Sequence, residues 1–286
     1  MTRPARRTLR TLLLIAATLA AVPAVVAQES KPLQLGVLPN LSARIILQQY
    51  QPMRQYLEGR MRRSVEIVTA PDFKTFHERT LKGDYDVVFT GAHLARLAQL
   101  DANLNPILTY RPALAALMIM SSERPLKSVQ DIRGQSIAFA NPQSLVALRG
   151  LQWLGEQGMR PGIEFSVAQT PTQDSLGQLL LSGGAVAAIL SGGEYRLIPD
   201  DQKSKLSVFA TIAELPSLTA AVHPRVSAAD VATLKTLLLA FPESPEGRQF
   251  LTATGFQGLR ELGAGELKTA LDPFLADVRR MMSGGK

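Results

Sequence analysis

Short apolar runs and longer amphipathic ones alternate along the chain from residue 33 onward. Leu33-Gln34-Leu35-Gly36-Val37-Leu38 alternates in character and closes on Pro39-Asn40, the pattern of a strand ending in a turn. Behind Ser42, a residue suited to start a helix, Ile45, Ile46, Gln49, Met53, Tyr56 and Leu57 recur at roughly helical spacing before Gly59. Val65-Glu66-Ile67-Val68 predicts a second strand, residues 72–81 a second helix and Gly83-Asp84 a turn. Residues 85–89 then form a buried strand that ends at Thr90-Gly91. This βαβαβ order predicts a parallel sheet covered by helices on both faces, with ligands bound beyond the carboxyl ends of its strands.

The same rhythm returns further on. Ile137-Ala138-Phe139-Ala140 is a strand, 144–157 a helix, Phe165-Ser166-Val167 a strand and 174–181 a helix, before Val186-Ala187-Ala188-Ile189-Leu190 runs into Ser191-Gly192-Gly193. Two such blocks predict an α/β protein of two lobes, each a doubly wound sheet with helices on both faces. The extended apolar segments 115–120 and 218–222 are expected to be the two hinge strands. Residues 28–115 and 218–286 then form one lobe and 116–217 the other. Helices at 228–240, 245–254 and 265–282 are expected to pack on the first lobe.

The 286 residues are 46% hydrophobic and 19% charged, an ordinary globular balance. Their formal charge of +7 suggests an anionic partner until its distribution is read. Arg3, Arg6, Arg7 and Arg10 precede the apolar run from Leu12 to Val22 and then Val25-Val26-Ala27, which together make a secretory signal peptide at 1–27. Its removal starts the mature chain at Gln28 and leaves 27 basic against 24 acidic side chains, +3 over 259 residues, which is no footprint for nucleic acid. There is no cysteine, so disulfides, thiolate metal sites and lipid attachment through an N-terminal cysteine are excluded. An exported, disulfide-free chain of this size fits a bacterial periplasm, held by its core alone.

Catalytic equipment is sparse. His77, His93 and His223 have no spacing that would pair two on one helix face, so no metal is indicated. No G-x-S-x-G elbow and no phosphate loop of the nucleotide-hydrolase type occurs, so no catalytic residue and no cofactor is assigned. His77, in an amphipathic helix, is expected at the surface. His93 follows a strand end and is the better candidate for a site. Four strand-end loops would converge if the lobes face each other: Leu38-Pro39-Asn40, Thr90-Gly91-Ala92-His93, Asn141-Pro142-Gln143-Ser144 and Ser191-Gly192-Gly193-Glu194. Two of these run into helices, whose exposed N–H groups suit an anionic head group. Any one is an ordinary polar turn; four at equivalent topological positions make a ligand cleft.

The chain resembles the periplasmic binding proteins of phosphate, phosphite and phosphonate ABC transporters, which have the two-lobed type II fold. The resemblance rests on Gly36-Val37-Leu38-Pro39-Asn40, Ala70-Pro71-Asp72-Phe73, Gly83-Asp84-Tyr85-Asp86-Val87-Val88-Phe89-Thr90-Gly91, Lys127-Ser128-Val129-Gln130-Asp131-Ile132-Arg133-Gly134, Asn141-Pro142-Gln143-Ser144, and Pro245-Glu246-Gly247 running to Gly255-Phe256. It implies capture of a small anionic or zwitterionic solute between closing lobes, by a monomer that partners an ABC transporter permease. The family's Ser-Thr-Ser-Gly at the start of the second-lobe helix is Ser144-Leu145-Val146-Ala147 here, its tyrosine after Ala-Pro-Asp is Phe73, and its acid near the second hinge is Leu218. Glu194 falls where amine-bearing phosphonate binders place an acid. Each lost charged hydrogen bond forfeits roughly 1.5 to 3 kcal/mol, so the fold carries over better than the substrate. A ligand-sensing role beside a membrane sensor kinase, and a secreted enzyme on the same scaffold, are the alternatives.

Overall fold

The computed structural model describes residues 31–139, 141–169 and 175–283. The signal peptide, the mature start at Gln28, and Ala140 and Asp174 of the expected strand and helix lie outside them. The described chain opens with β1 (Leu33–Val37), α1 (Ala43–Met61), β2 (Val65–Val68), α2 (Phe73–Lys82) and β3 (Val87–Thr90). Asp72 starts α2 by accepting the Thr75 N–H at 2.7 Å, and Gly83 ends it at φ 79°, a left-handed turn that a side chain would strain. Next come α3 (Ala92–Ala102) and β4 (Asn105–Tyr110), neither of which the periodicity announced. The first two turns of α3, Ala92 to Ala98, are buried apart from Arg96, so they show no amphipathic stripe, and Pro106 hides the strand.

The chain continues through β5 (Leu114–Ser121), a 3₁₀ turn Val129–Ile132, β6 (Ser136–Phe139), α4 (Leu145–Glu156), β7 (Ser166–Gln169), α5 (Ser175–Ser182), β8 (Ala187–Ser191), α6 (Gly192–Leu197), α7 (Asp200–Lys203) and β9 (Leu206–Leu215). It returns in β10 (Thr219–Val222), α8 (Ala228–Ala240), α9 (Pro245–Thr254), β11 (Leu259–Glu261), α10 (Glu266–Leu271) and α11 (Leu275–Ser283). The single helix expected over 265–282 is therefore two, broken by a 3₁₀ turn at Asp272–Phe274. Pro273 has no N–H to continue the ladder, and its ring crowds the preceding turn.

The first sheet has the order β11-β4-β10-β3-β1-β2 and the second β7-β6-β8-β5-β9. Only β2-β1-β3 and β7-β6-β8 are parallel, as the alternation predicted; the other strands pair antiparallel and the sheets are mixed. β10 enters from the other sheet at the carboxyl end of β3, with Thr219 beside Thr90 and Val222 beside Val87, so it can only run back. The segments expected as hinges are sheet interior instead. Residues 115–120 lie in β5, paired on both sides, and 219–222 form β10. Apolar runs of this kind satisfy their backbone best between two neighbours. The chain crosses between sheets at 111–113 and 216–218, where the Tyr110 N–H donates to the Leu218 carbonyl at 3.0 Å and Leu114 pairs with Leu215.

On one face of the first sheet, α1, α8 and α9 bury Tyr50, Met53, Leu234 and Phe250 against Phe89 and Tyr110. On the other, α2, α3 and α11 contribute Phe76, Leu94, Val278 and Met282. His77 is 6% exposed, not at the surface as expected, because it shares the inward face of α2 with Phe73, Phe76 and Thr80. The second sheet packs α4 on one face and α5 on the other. Not all C-terminal helices stay with the first sheet: Leu267 and Leu271 of α10 join the core of the second, together with Ala92 and Ala95 of α3.

Candidate functional site

A cavity of about 370 Å³ lies where the strand ends of the two sheets face each other. Asn40 and Leu41 follow β1, Ile46, Gln49 and Tyr50 come from α1, and Phe73 opens α2. Gly91, Ala92 and His93 begin α3; Asn141, Ser144, Leu145 and Val146 lead into α4; Ser191, Gly193, Glu194, Arg196 and Leu197 belong to the β8–α6 corner. The crossing 216–218 and the end of α9, residues 252–256, complete the wall.

The starts of α3 and α4 therefore share one space. Gly91 has no side chain to occupy the first N–H groups of α3. At α4 the Ser144 hydroxyl accepts the Ala147 N–H at 3.0 Å, leaving the N–H groups of Leu145 and Val146 without that partner. Uncapped N–H groups and the positive end of a helix favour an anion. At α6 the serine and the acid form a reciprocal cap: the Glu194 N–H donates to Ser191 Oγ at 3.1 Å, and the Ser191 N–H donates to the Glu194 carboxylate at 2.6 Å.

His93 is 1% exposed, and its Nε2 lies 3.2 Å from the Gln143 carbonyl, a hydrogen bond from α3 to the loop before α4. A carbonyl only accepts, so Nε2 carries the proton and Nδ1 is a bare acceptor. Burial pulls the imidazole down to about 4, which keeps it neutral. Nδ1 has no hydrogen-bond partner among the described residues, whereas the hydroxyl of Tyr50, which is 4% exposed, faces that of Tyr110 inside the core. Burial raises both the Tyr50 phenol and the Glu194 carboxyl. The Arg196 guanidinium lies against Gly255, the residue that closes α9, where the carbonyl end of the helix attracts a cation.

Of the residues expected at a site, Asn40, Phe73, Gly91, His93, Asn141, Ser144, Leu145, Ser191 and Glu194 line the cavity. Pro39, Thr90, Gln143 and Gly192 do not. Thr90 is buried in β3 opposite Thr219, and Gln143 presents its carbonyl to His93. Sequence reasoning missed Tyr50, Gln49 and Ile46, which read as ordinary core and helix positions. It also missed Arg196 and the wall at 216–218 and 252–256. The signals for that wall were Gly255-Phe256 at the end of the family motif and Leu218 at the position of the family's acid.

Two lobes, each a mixed sheet flanked by helices, joined by two crossings over a cleft, make the type II periplasmic binding protein fold. The chain belongs to the ABC transporter, phosphonate, periplasmic substrate-binding protein family, whose model matches residues 35–264. Its role is thus solute binding. Among solved structures, PhnD1 from Prochlorococcus marinus in complex with methylphosphonate superposes with a TM-score of 0.75 at 13% identity, covering 88% of this chain and 98% of that one. A binding protein component of an ABC phosphonate transporter from Pseudomonas aeruginosa, PA3383, gives 0.71 at 14% identity, with 89% and 99% covered. XAC2383 from Xanthomonas citri, bound to chloride ion, gives 0.73 at 20%, with 88% and 99% covered.

Proposed function

We propose that the chain captures a small anionic or zwitterionic organic solute in this cavity and delivers it to a membrane ABC permease. The observation that carries the reading is the meeting of the starts of α3 and α4 beside the partnerless Nδ1 of His93, in one cavity at the carboxyl ends of the strands. The methylphosphonate bound by the Prochlorococcus relative supports an oxyanion head group. Two lobes, expected from the sequence at 28–115 with 218–286 and at 116–217 and here divided at the crossings 111–113 and 216–218, close about those crossings. The mature protein starts at Gln28 and works in the periplasm as a monomer. It binds without turning its ligand over.

Native mass spectrometry of protein taken gently from the cell, followed by thermal-shift screening against phosphate, phosphite, phosphonates, sulfonates and carboxylates, tests the reading. Stabilisation by at least one anion, recovered chemically unchanged, is expected. No response to any of them, or turnover of a bound one, would overturn it. N-terminal sequencing of the exported protein checks the start at Gln28.

A further inference from the structure

We infer that the solute is a monoanion carrying an apolar body of several carbons, not a bare oxyanion; this rests on the anion site proposed above. The cavity holds about 370 Å³, within the roughly 300–1,000 Å³ usual for drug-sized ligands. A water takes about 30 Å³ in the liquid, so an inorganic oxyanion leaves most of this space to water. The walls do not welcome water. Leu41, Phe73, Leu114, Leu145, Leu218 and Phe256, drawn from six separate segments, all face the cavity, and none offers a side-chain hydrogen bond. Covering such walls with carbon is favourable in proportion to the area removed from water.

The charge inventory limits the head group. Among the described residues, the charged side chains lining the cavity are one carboxylate, Glu194, and one guanidinium, Arg196, which already lies against the end of α9. His93 is neutral. No excess of fixed positive charge lines the cavity to match a dianion. Each helix start supplies roughly half an elementary positive charge, so the two together balance about one negative charge. His93 Nδ1, an acceptor, has no partner among the described residues.

Calorimetric titration of the mature chain with phosphate, methyl-, propyl-, hexyl- and phenylphosphonate, and methane- and hexanesulfonate, decides the matter. The affinity is expected to rise about two- to four-fold per methylene, with phosphate weakest and hexanesulfonate within about ten-fold of hexylphosphonate. Affinity that is flat or falls beyond methylphosphonate would overturn the apolar body and leave the anion site standing. Hexylphosphonate binding with no detectable hexanesulfonate binding would overturn the monoanion. If no anion binds, the proposed anion site falls as well. In Leu218→Asn and Leu114→Asn, each checked by circular dichroism, the hexyl-to-methyl affinity ratio should drop at least three-fold; an unchanged ratio in both would overturn the placement of the body against these walls.

Discussion

A Cβ on Gly247 would collide with the Phe241 carbonyl oxygen and lie 3.0 Å from the Pro242 Cα, both backbone atoms that cannot swing aside. The Gly247 N–H donates to Ser244 Oγ at 2.9 Å, so this glycine lets α9 start close against the preceding turn. Gly247→Ala should cost about 3 kcal/mol, read from urea unfolding. The buried histidines set a second residue-scale expectation. Burial lowers both His77 and His93 to about 4, against an ordinary 6.5 in the unfolded chain. Between those values the unfolded chain binds more protons, so stability is complete above about pH 6.5 and drains away as pH falls toward 4. Each histidine contributes about 3 kcal/mol to that loss. Melting temperature followed from pH 7 to 4.5 should fall steadily, and His93→Gln, which keeps a donor for the Gln143 carbonyl, should flatten the slope.

At the scale of elements, α4 does two jobs at one end. The Ser144 hydroxyl is engaged in the cap, so Ser144→Ala should lower stability by about 1 kcal/mol while the N–H groups of Leu145 and Val146 still face a ligand. Ser144→Asp keeps a good cap and sets a carboxylate beside the proposed anion, so calorimetry should show a normal fold with binding lost. Full anion binding by Ser144→Asp would move the head group away from this helix. The structure gives Glu194 a capping role, whereas the family resemblance placed it where amine-bearing phosphonate binders carry an acid. Glu194→Gln should spare the binding of simple anions and weaken zwitterions only if the carboxylate also meets an amine, which parallel titrations with methylphosphonate and aminomethylphosphonate resolve.

For the molecule as a whole, the two sheets share packing through α3 and α10. Ala92, Ala95, Leu267 and Leu271 sit in the core of the second sheet, and Arg96 grips Asp272 with two hydrogen bonds of 2.7 and 3.0 Å. Gln152 of α4 reaches Asp277 of α11 at 3.2 Å. Lobes tied in this way should unfold together, giving one calorimetric transition whose calorimetric and van't Hoff enthalpies agree. Two separate transitions would mean that these contacts do not couple the sheets.

The two βαβ blocks, the strand-end turns and the helices at 228–240 and 245–254 were legible along the chain, since each depends on local periodicity, capping and turn residues. Gly83, Asp72 and Ser144 announce their turns and caps without any help from distant residues. Other features needed the folded chain. A uniformly buried helix such as α3 carries no stripe to read, and an apolar run such as 115–120 looks the same as a hinge or as a strand paired on both sides. The direction of β10 follows from where the chain returns, which is a matter of topology. His77 and Tyr50 owe their burial to neighbours far away in sequence. The cavity wall at 216–218 and 252–256 exists only because a crossing and a helix end are carried to the same strand ends, and proximity of that kind leaves no local signal.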